Sequence, residues 1–314
     1  MTISVCMGLY NGERYIKEQM LSILYQTRQP DEVILCDDGS TDRTVELVRD
    51  FINNNRLEKK WKLYVNEKNK GYPANFYDAM GLCGCDIVFL SDQDDVWAKE
   101  KLERMLQGME SHSQAKAVCC KFGLIDAKGE QIHTIMQPAK SKGSGIWKRV
   151  TVEDVFYKCE WPGMVVAYRN EWYRSRKGRK KLSVPHDFFV CAAAAEEEGF
   201  WQLDEELAWH RRHESNAGGE EHRLKKLLNK ERKLREIEEY LRILEAFEGE
   251  GALKTKRGRK ALSEKRISME GRYEALKSGK IGRVLKNARE NWGNVRLATL
   301  VCDLMIVRQK GVRI

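Results

Sequence analysis

"IVFLSDQDDVW", residues 87–97, is the stretch on which the fold turns. Ile87 to Leu90 form an apolar run of the length and character of a strand buried on both faces. The run stops at Ser91 and gives way to Asp92, Asp94 and Asp95, with Gln93 among them. Carboxylates packed this closely repel one another. A strand end that carries three of them needs something positive to face.

The neighbouring segments say what kind of strand this is. Strand-like runs at 2–9, 32–36 ("EVILC"), 62–66 ("KLYVN"), 86–91 and 117–125 alternate with helical patterns at 13–27, 41–55, 73–83 and 98–111. Such alternation predicts a mostly parallel sheet flanked by helices. Sheets of that kind bind ligands outside the carboxyl ends of their strands. Polar residues cluster at three such ends: "YNG" after the first strand, "DDGSTD" after the second and "SDQDD" after the fourth. Further on, 126–160 reads as a long connection containing Gly and Lys, "GMVVAY" (163–168) as a strand and "HDFFVCAAAAEEEG" (186–199) as a helix.

From about 220 the pattern changes. Leu224, Leu227, Leu228, Leu234, Ile237, Leu241, Leu244 and Phe247 recur mostly at intervals of three and four, one face of a long amphipathic helix. "GEGALKTKRGRK" (249–260) interrupts it, and helices are expected at 262–278, 281–290 and 294–308. Residues 221–314 hold 25 Lys and Arg against 13 Asp and Glu, so the net charge of +9 resides entirely in this tail. The expected organisation is an α/β domain over 1–218 and a basic helical region over 219–314.

Composition narrows the class. A chain of 314 residues with 42% hydrophobic and 33% charged residues suits a globular protein. The opening "TISVCMGLY" lacks the basic, apolar and cleavage regions of a signal peptide, so none is expected. No stretch reaches the roughly 18 apolar residues of a membrane-spanning helix. Nine cysteines, odd in number and without a CxxC pair, read as reduced thiols and point to the cytosol.

A hard divalent cation, Mg²⁺ or Mn²⁺, answers the acidic cluster, since it takes one or two carboxylates together with phosphate oxygens and water. An Asp-x-Asp triplet is equally at home in a solvated loop where Asp94 or Asp95 caps the next helix. "LCDDGSTDRT" (35–44) adds Asp37 and Asp38 at a second strand end, where a carboxylate can accept the imide N–H of uracil or thymine. Tyr10, beside Asn11 and Gly12, offers a ring to pack on such a base.

Together "VCMGLYNGERYIKEQMLSILYQT", "DDGSTD", "NKGYPANF" and "SDQDDVW" resemble the inverting family-2 glycosyltransferases of the GT-A fold. Within that family they resemble the rhamnosyltransferase-like branch of bacterial surface-polysaccharide enzymes. The resemblance covers residues 1 to about 218 and implies a Rossmann-like, mostly parallel sheet.

It also implies a set of roles. Asp38 would hold the nucleotide base with Tyr10 packed on it, with Asn11 and Asp37 adjoining. Asn69, Gly71 and Asn75 would line the nucleotide and sugar side of the cleft. Asp92 and Asp94 would be the DxD pair, separated by Gln93, with Asp94 the direct ligand of Mn²⁺ or Mg²⁺. Asp187 in "HDFFV" would be the catalytic base, and His213 in "RRHESNAGG" would reach the metal or diphosphate. On residues alone, Asp187 also reads as a helix-start carboxylate favoured by the dipole, and His213 as an ordinary polar-loop histidine.

The implied chemistry is transfer of a sugar from a UDP- or dTDP-sugar to a saccharide or lipid-linked acceptor, with one base and inversion. A sugar-phosphate nucleotidyltransferase would need a Gly-rich basic loop after the first strand, whereas "YNGERY" offers only Arg14. Nucleic-acid binding would use the tail, but its cations interleave with Glu rather than with aromatic residues. The apolar stretch 297–307, edged by Arg296 and Arg308, suits peripheral contact with the inner leaflet of a membrane. Packing on the catalytic domain or on a second copy is the other expectation. "SVPHDFFVCAAAAEEEG" is more alanine-rich and acidic than the branch leads one to expect, and 126–160 has no counterpart in it. Both differences bear on the acceptor pocket.

Overall fold

The apolar runs become the strands at the centre of the first unit. A computed structural model describes residues 1–132, 143–158, 160–176, 184–213 and 228–308. In chain order it begins β1 (Ile3–Leu9), α1 (Ile16–Leu24), β2 (Glu32–Asp37), α2 (Thr44–Asn54), β3 (Trp61–Val65), α3 (Tyr72–Leu82) and β4 (Ile87–Ser91). Then come β5 (Val96–Trp97), α4 (Lys101–Ser111), β6 (Ala117–Ile125), β7 (Trp147–Arg149), α5 (Val152–Lys158), β8 (Val166–Arg169), α6 (Asn170–Ser175), α7 (His186–Glu196) and β9 (Phe200–Arg211). The chain closes with α8 (Lys230–Gly249), α9 (Lys256–Ser278), α10 (Ile281–Glu290) and α11 (Leu297–Arg308).

Among the described residues the strands form one sheet in the order β3-β2-β1-β4-β8-β6-β9-β5, with β7 alongside β9. β1 pairs in parallel with both β2 and β4, and β2 with β3. The chain therefore leaves β1 in one direction, to β2 and β3, and returns to its other side at β4. That reversal opens a crevice at the carboxyl ends of β1 and β4. Residue 10 follows one strand and Asp92 the other, so the polar turns meet where the topology makes room.

Burial matches this position. β1, β2 and β4 are almost wholly buried along their lengths, as expected for strands covered on both faces. α1 turns Ile16, Met20 and Ile23 inward, and α2 turns Val48, Phe51 and Ile52 inward.

The second half of the sheet departs from the sequence reading. Residues 126–160 contain β7 and α5, not an unbroken connection. "GMVVAY" opens with a 3-10 turn at Gly163–Val165 before β8, which runs antiparallel to both β4 and β6. β9 was not anticipated at all. Its buried residues are Phe200, Leu203, Leu207, Ala208 and Arg211, spaced like a helical face. The alternation expected of a strand is lost because its pairing with β6 shifts register on either side of Lys121.

The second unit consists of residues 152–159 and 213–314, so α5 belongs with it although it lies within the expected α/β domain. Phe156 of α5 meets Phe247 of α8 edge-on, with centroids 6.2 Å apart. The side chain of Asn229 caps α8 through the Arg232 N–H, and that of Thr255 caps α9 through the Gly258 N–H. A cap of this kind contributes about 1 kcal/mol. Asp303 of α11 accepts two bonds from Arg272 of α9, at 2.7 and 2.8 Å. Leu224 and Leu227, which the sequence reading placed on the first tail helix, lie outside the described residues.

Candidate active site

Three loops after strands build the crevice, and they hold one another by side-chain bonds to backbone. After β1, Asn11 adopts a positive φ of 47°. Its N–H donates to Ser40 Oγ at 2.9 Å, and its Oδ1 accepts the Thr41 N–H at 2.8 Å. Gln93 both accepts the Tyr10 N–H and donates to the Tyr10 carbonyl, at 2.9 and 2.8 Å. Gln93 therefore fixes the loop that carries Tyr10, whose own side chain is left exposed.

The Asp37–Asp38 pair divides its labour. Asp37 is fully buried and accepts the N–H groups of Gly39 and Ser40 and the Ser40 hydroxyl. It shapes the turn after β2. Asp38 accepts Asn66 Nδ2 at 3.0 Å and the N–H groups of Lys70 and Gly71, both at 2.9 Å. A carboxylate has about four lone-pair positions; these three bonds leave room for one more donor. Asn69 accepts the same Gly71 N–H at 2.9 Å. Asn75 is buried between Asn66 Nδ2 and the Cys36 carbonyl. Asp38, Asn69, Gly71 and Asn75 thus form one connected wall.

At the end of β4 the acidic residues gather. Burial, together with the charges of Asp95, Asp94 and Asp187, pushes the Asp92 carboxyl well above the usual carboxylate range. That coupling brings Asp187, almost a hundred residues away in sequence, to the DxD pair. Asp187 sits in the first turn of α7, with Oδ2 accepting the Gly163 N–H at 3.0 Å and Oδ1 the Phe188 N–H at 2.7 Å. Gly163 links the two: a Cβ added to it would lie 3.7 Å from Asp187 Cβ and 3.7 Å from Leu90 Cβ.

Three residues at this site, His210, Arg211 and Lys101, were missed by sequence reasoning, and a fourth, Asp95, was read only as a member of the acidic cluster or a helix cap. Asp95 is fully buried and receives His210 Nδ1 at 3.1 Å and the Arg211 N–H at 3.0 Å. Burial opposes a charge on His210, but the bond to Asp95 and the charges of Asp95 and Asp92 prevail and raise its pKa. Arg211 is buried and donates to the Asp94 carbonyl at 2.8 Å, to the Asp126 carbonyl at 3.2 Å and to Glu18 at 2.5 Å. Lys101 lies wholly buried over the Trp97 ring and donates to the Met164 carbonyl at 2.5 Å. Burial pulls its ammonium down to about 7, against the opposing charges of Asp95 and Asp92. The segment "RRHESNAGG" begins at the last residue of β9, and there the resemblance points to His213. His213 is counted with the second unit, and the ring of His210 bonds the acidic cluster at Asp95.

His186, next to Asp187, is stacked on Phe76 with ring centroids 3.8 Å apart, and burial lowers its pKa. Neither of its ring nitrogens has a hydrogen-bond partner among the described residues.

The donor set fits a hard divalent cation. Among the described residues Asp95 Oδ2 is buried without a partner, and Asp92 feels the charges of three other carboxylates, Asp95, Asp94 and Asp187, an arrangement that a cation would relieve. Among the described residues no group of three or more His, Cys, Asp or Glu side chains is arranged to hold a metal alone.

Several known proteins are similar. A sequence model described as "Glycosyl transferase family 2" matches residues 4–198. An uncharacterized glycosyltransferase of Haemophilus influenzae is 32% identical over 138 residues, which are 44% of this chain and 54% of that protein. The chain thus matches about half the length of that relative. The dTDP-rhamnosyl transferase RfbG of Shigella flexneri is 25% identical over 229 residues, 68% of this chain and 73% of its own. Among solved structures, S. aureus TarS 1-349 in complex with UDP superposes with a TM-score of 0.55 at 18% identity, covering 98% of this chain and 90% of that one. The mannosyltransferase PcManGT of Pyrobaculum calidifontis, in complex with GDP-Man and Mn²⁺, gives 0.51 at 15% identity, covering 98% and 88%. At these identities the structural likeness is one of fold, and the fold is the expected GT-A type. Neither nucleotidyl transfer nor nucleic-acid binding finds support in these likenesses.

Repulsion within the cluster has a measurable consequence. Asp92→Asn should raise the melting temperature in EDTA, because it removes one of the crowded carboxylates. For a domain of this size each kcal/mol relieved corresponds to about 2–4 °C. The same variant should lose any stabilisation by Mn²⁺. A fall in melting temperature in EDTA would show that the cluster is not strained by its own charge.

Proposed function

The chain belongs to glycosyl transferase family 2, and from that premise we propose that it transfers a sugar from a UDP- or dTDP-sugar to a saccharide or lipid-linked acceptor in bacterial cell-surface polysaccharide synthesis. The observation that carries the reading is the seat of Asp187 on the Gly163 turn, which lies against Leu90 at the end of β4, close enough for its charge to act on Asp92. It sets a candidate base beside the carboxylates that would bind the leaving group's cation.

Each residue then has a task. Tyr10 and the one open lone-pair position of Asp38 receive the base of the nucleotide. Asp92 and Asp94 hold Mn²⁺ or Mg²⁺, which when bound offsets the charge that develops on the departing diphosphate. Asp187 keeps two lone-pair directions beyond its bonds to the Gly163 and Phe188 N–H groups. It takes the proton of the acceptor hydroxyl as that oxygen attacks the anomeric carbon and the bond to the diphosphate breaks. One base and one displacement invert the anomeric centre. The similarity to RfbG, a dTDP-rhamnosyl transferase, supports a deoxysugar donor carried on dTDP; TarS crystallised with UDP supports the uridine alternative.

The tail supports a peripheral site at the cytoplasmic face of the membrane. No helix among the described residues is long and apolar enough to cross one. α11, however, leaves Leu297, Val301 and Met305 exposed at 67%, 48% and 46%. Their spacing of four sets them on one side of the helix, and Arg296 and Arg308 stand at its ends. An apolar stripe with cationic ends suits an anionic bilayer surface.

Two experiments test these assignments. Asp187→Asn should retain donor affinity while turnover falls by roughly 10²-fold or more, the scale of losing a general base. Normal turnover, or loss of donor affinity alone, would remove Asp187 from that role. For the tail, the triple change Leu297→Gln, Val301→Gln and Met305→Gln should abolish flotation with anionic vesicles at low salt without lowering the melting temperature. Parent protein that never floats contradicts the membrane reading, and a dimer that the triple change splits would assign the stripe to a second copy.

A further inference from the structure

Lysine is almost never fully buried unless it is paired. Lys101, the first residue of α4, is 0% exposed, yet its ammonium is bonded to a carbonyl and not to a carboxylate. We infer that this buried charge acts through the acidic cluster: it keeps Asp92 and Asp94 from holding a divalent cation alone, so that the cation is retained only together with the nucleoside diphosphate. The inference rests on the cation site proposed above and adds to it the residue that makes the two ligands depend on each other.

Two contacts fix the ammonium. It lies 3.1 Å from the centre of the Trp97 ring, and it donates to the Met164 carbonyl at 2.5 Å. Trp97 belongs to β5, two residues beyond Asp95. Met164 belongs to the 3-10 turn Gly163–Val165, whose Gly163 N–H seats Asp187. Lys101 thus ties the acidic loop to the turn beneath the candidate base, and neither contact neutralises it.

Its charge therefore acts on its surroundings. Burial opposes the ammonium, and the charges of Asp95 and Asp92 favour it. Cys120, which also faces it, is kept a neutral thiol by burial, which pushes it up to about 11. The anions that Lys101 feels are thus carboxylates of the cluster. A divalent cation entering there is attracted by Asp92, Asp94 and Asp95 and repelled by Lys101, and inside the protein that repulsion is little screened. A diphosphate brings negative charge of its own, which offsets the repulsion.

Calorimetric titration of the full-length protein with Mn²⁺, alone and with UDP or dTDP present, tests the inference below pH 7, where the ammonium keeps its proton. Lys101→Met, nearly equal in length and uncharged, should bind Mn²⁺ alone about tenfold more tightly than the parent, the scale on which one neighbouring charge shifts a buried group. Its dependence on the nucleotide should fall. Lys101→Gln, uncharged but still a donor toward the Met164 carbonyl, should show the same gain and decides the matter if Lys101→Met does not fold. Damaged packing would weaken Mn²⁺ binding, so a gain separates the two causes. Neutral variants that bind Mn²⁺ alone no better than a parent that still binds it with nucleotide overturn the inference and leave the cation site standing. A gain of the same size in Lys101→Arg, which keeps the charge, overturns it too. A parent that binds no Mn²⁺ even with nucleotide removes the cation site and the inference together.

Discussion

Mutual repulsion among the carboxylates at the end of β4 is the constraint around which the catalytic unit is arranged. Asp92, Asp94 and Asp95 follow a fully buried strand, at the place where strand order turns from β1 to β4 and a crevice opens. A low-dielectric position magnifies their repulsion. The surrounding structure offsets part of it: His210 and the Arg211 N–H bind Asp95, Arg211 clamps the Asp94 carbonyl, and the buried Lys101 interacts with the charges of Asp95 and Asp92. What remains is negative potential directed at the crevice. Under the proposed function, a site that recruits a divalent cation and a diphosphate together benefits from being left incompletely neutralised.

The parts of this arrangement that were legible in the sequence are local. β1 to β4 announce themselves as short apolar runs, and their carboxyl-end turns stand next to them in the chain. The Asp187 assignment came from resemblance, and its approach to Asp92 could not be read from spacing, because it depends on β8 and the Gly163 turn lying against β4. β9 escaped notice because the register shifts against β6 give its buried residues the spacing of a helix. With β9 went His210 and Arg211, which reach the acidic loop only because β5 pairs antiparallel with Trp209 and Ala208. α5 was hidden in a stretch without strong periodicity, and its packing on α8 is a long-range contact.

Residues carried over as ligands by resemblance turn out to have structural tasks as well. Asp37 organises a turn, Gln93 fixes the Tyr10 loop, and Asn75 is buried between two strand-end loops. Polar side chains that satisfy backbone groups in this way make the crevice rigid before any ligand arrives, since leaving those groups unpaired would cost about 1–3 kcal/mol each. The helical unit shows the reverse case. Its excess of Lys and Arg was plain from composition, but the exposed apolar stripe of α11 required the fold.

The central claim is that the acidic cluster binds its cation jointly with a nucleoside diphosphate. Calorimetric titration of Mn²⁺ with and without UDP or dTDP, and of each nucleotide with and without Mn²⁺, tests it most directly. Thermodynamic reciprocity requires that the nucleotide tighten Mn²⁺ by the same factor that Mn²⁺ tightens the nucleotide. The account predicts such coupling in the parent and its loss in Asp94→Ala. Nucleotide affinity that is equal in Mn²⁺ and in EDTA, and unchanged by Asp94→Ala, would contradict it.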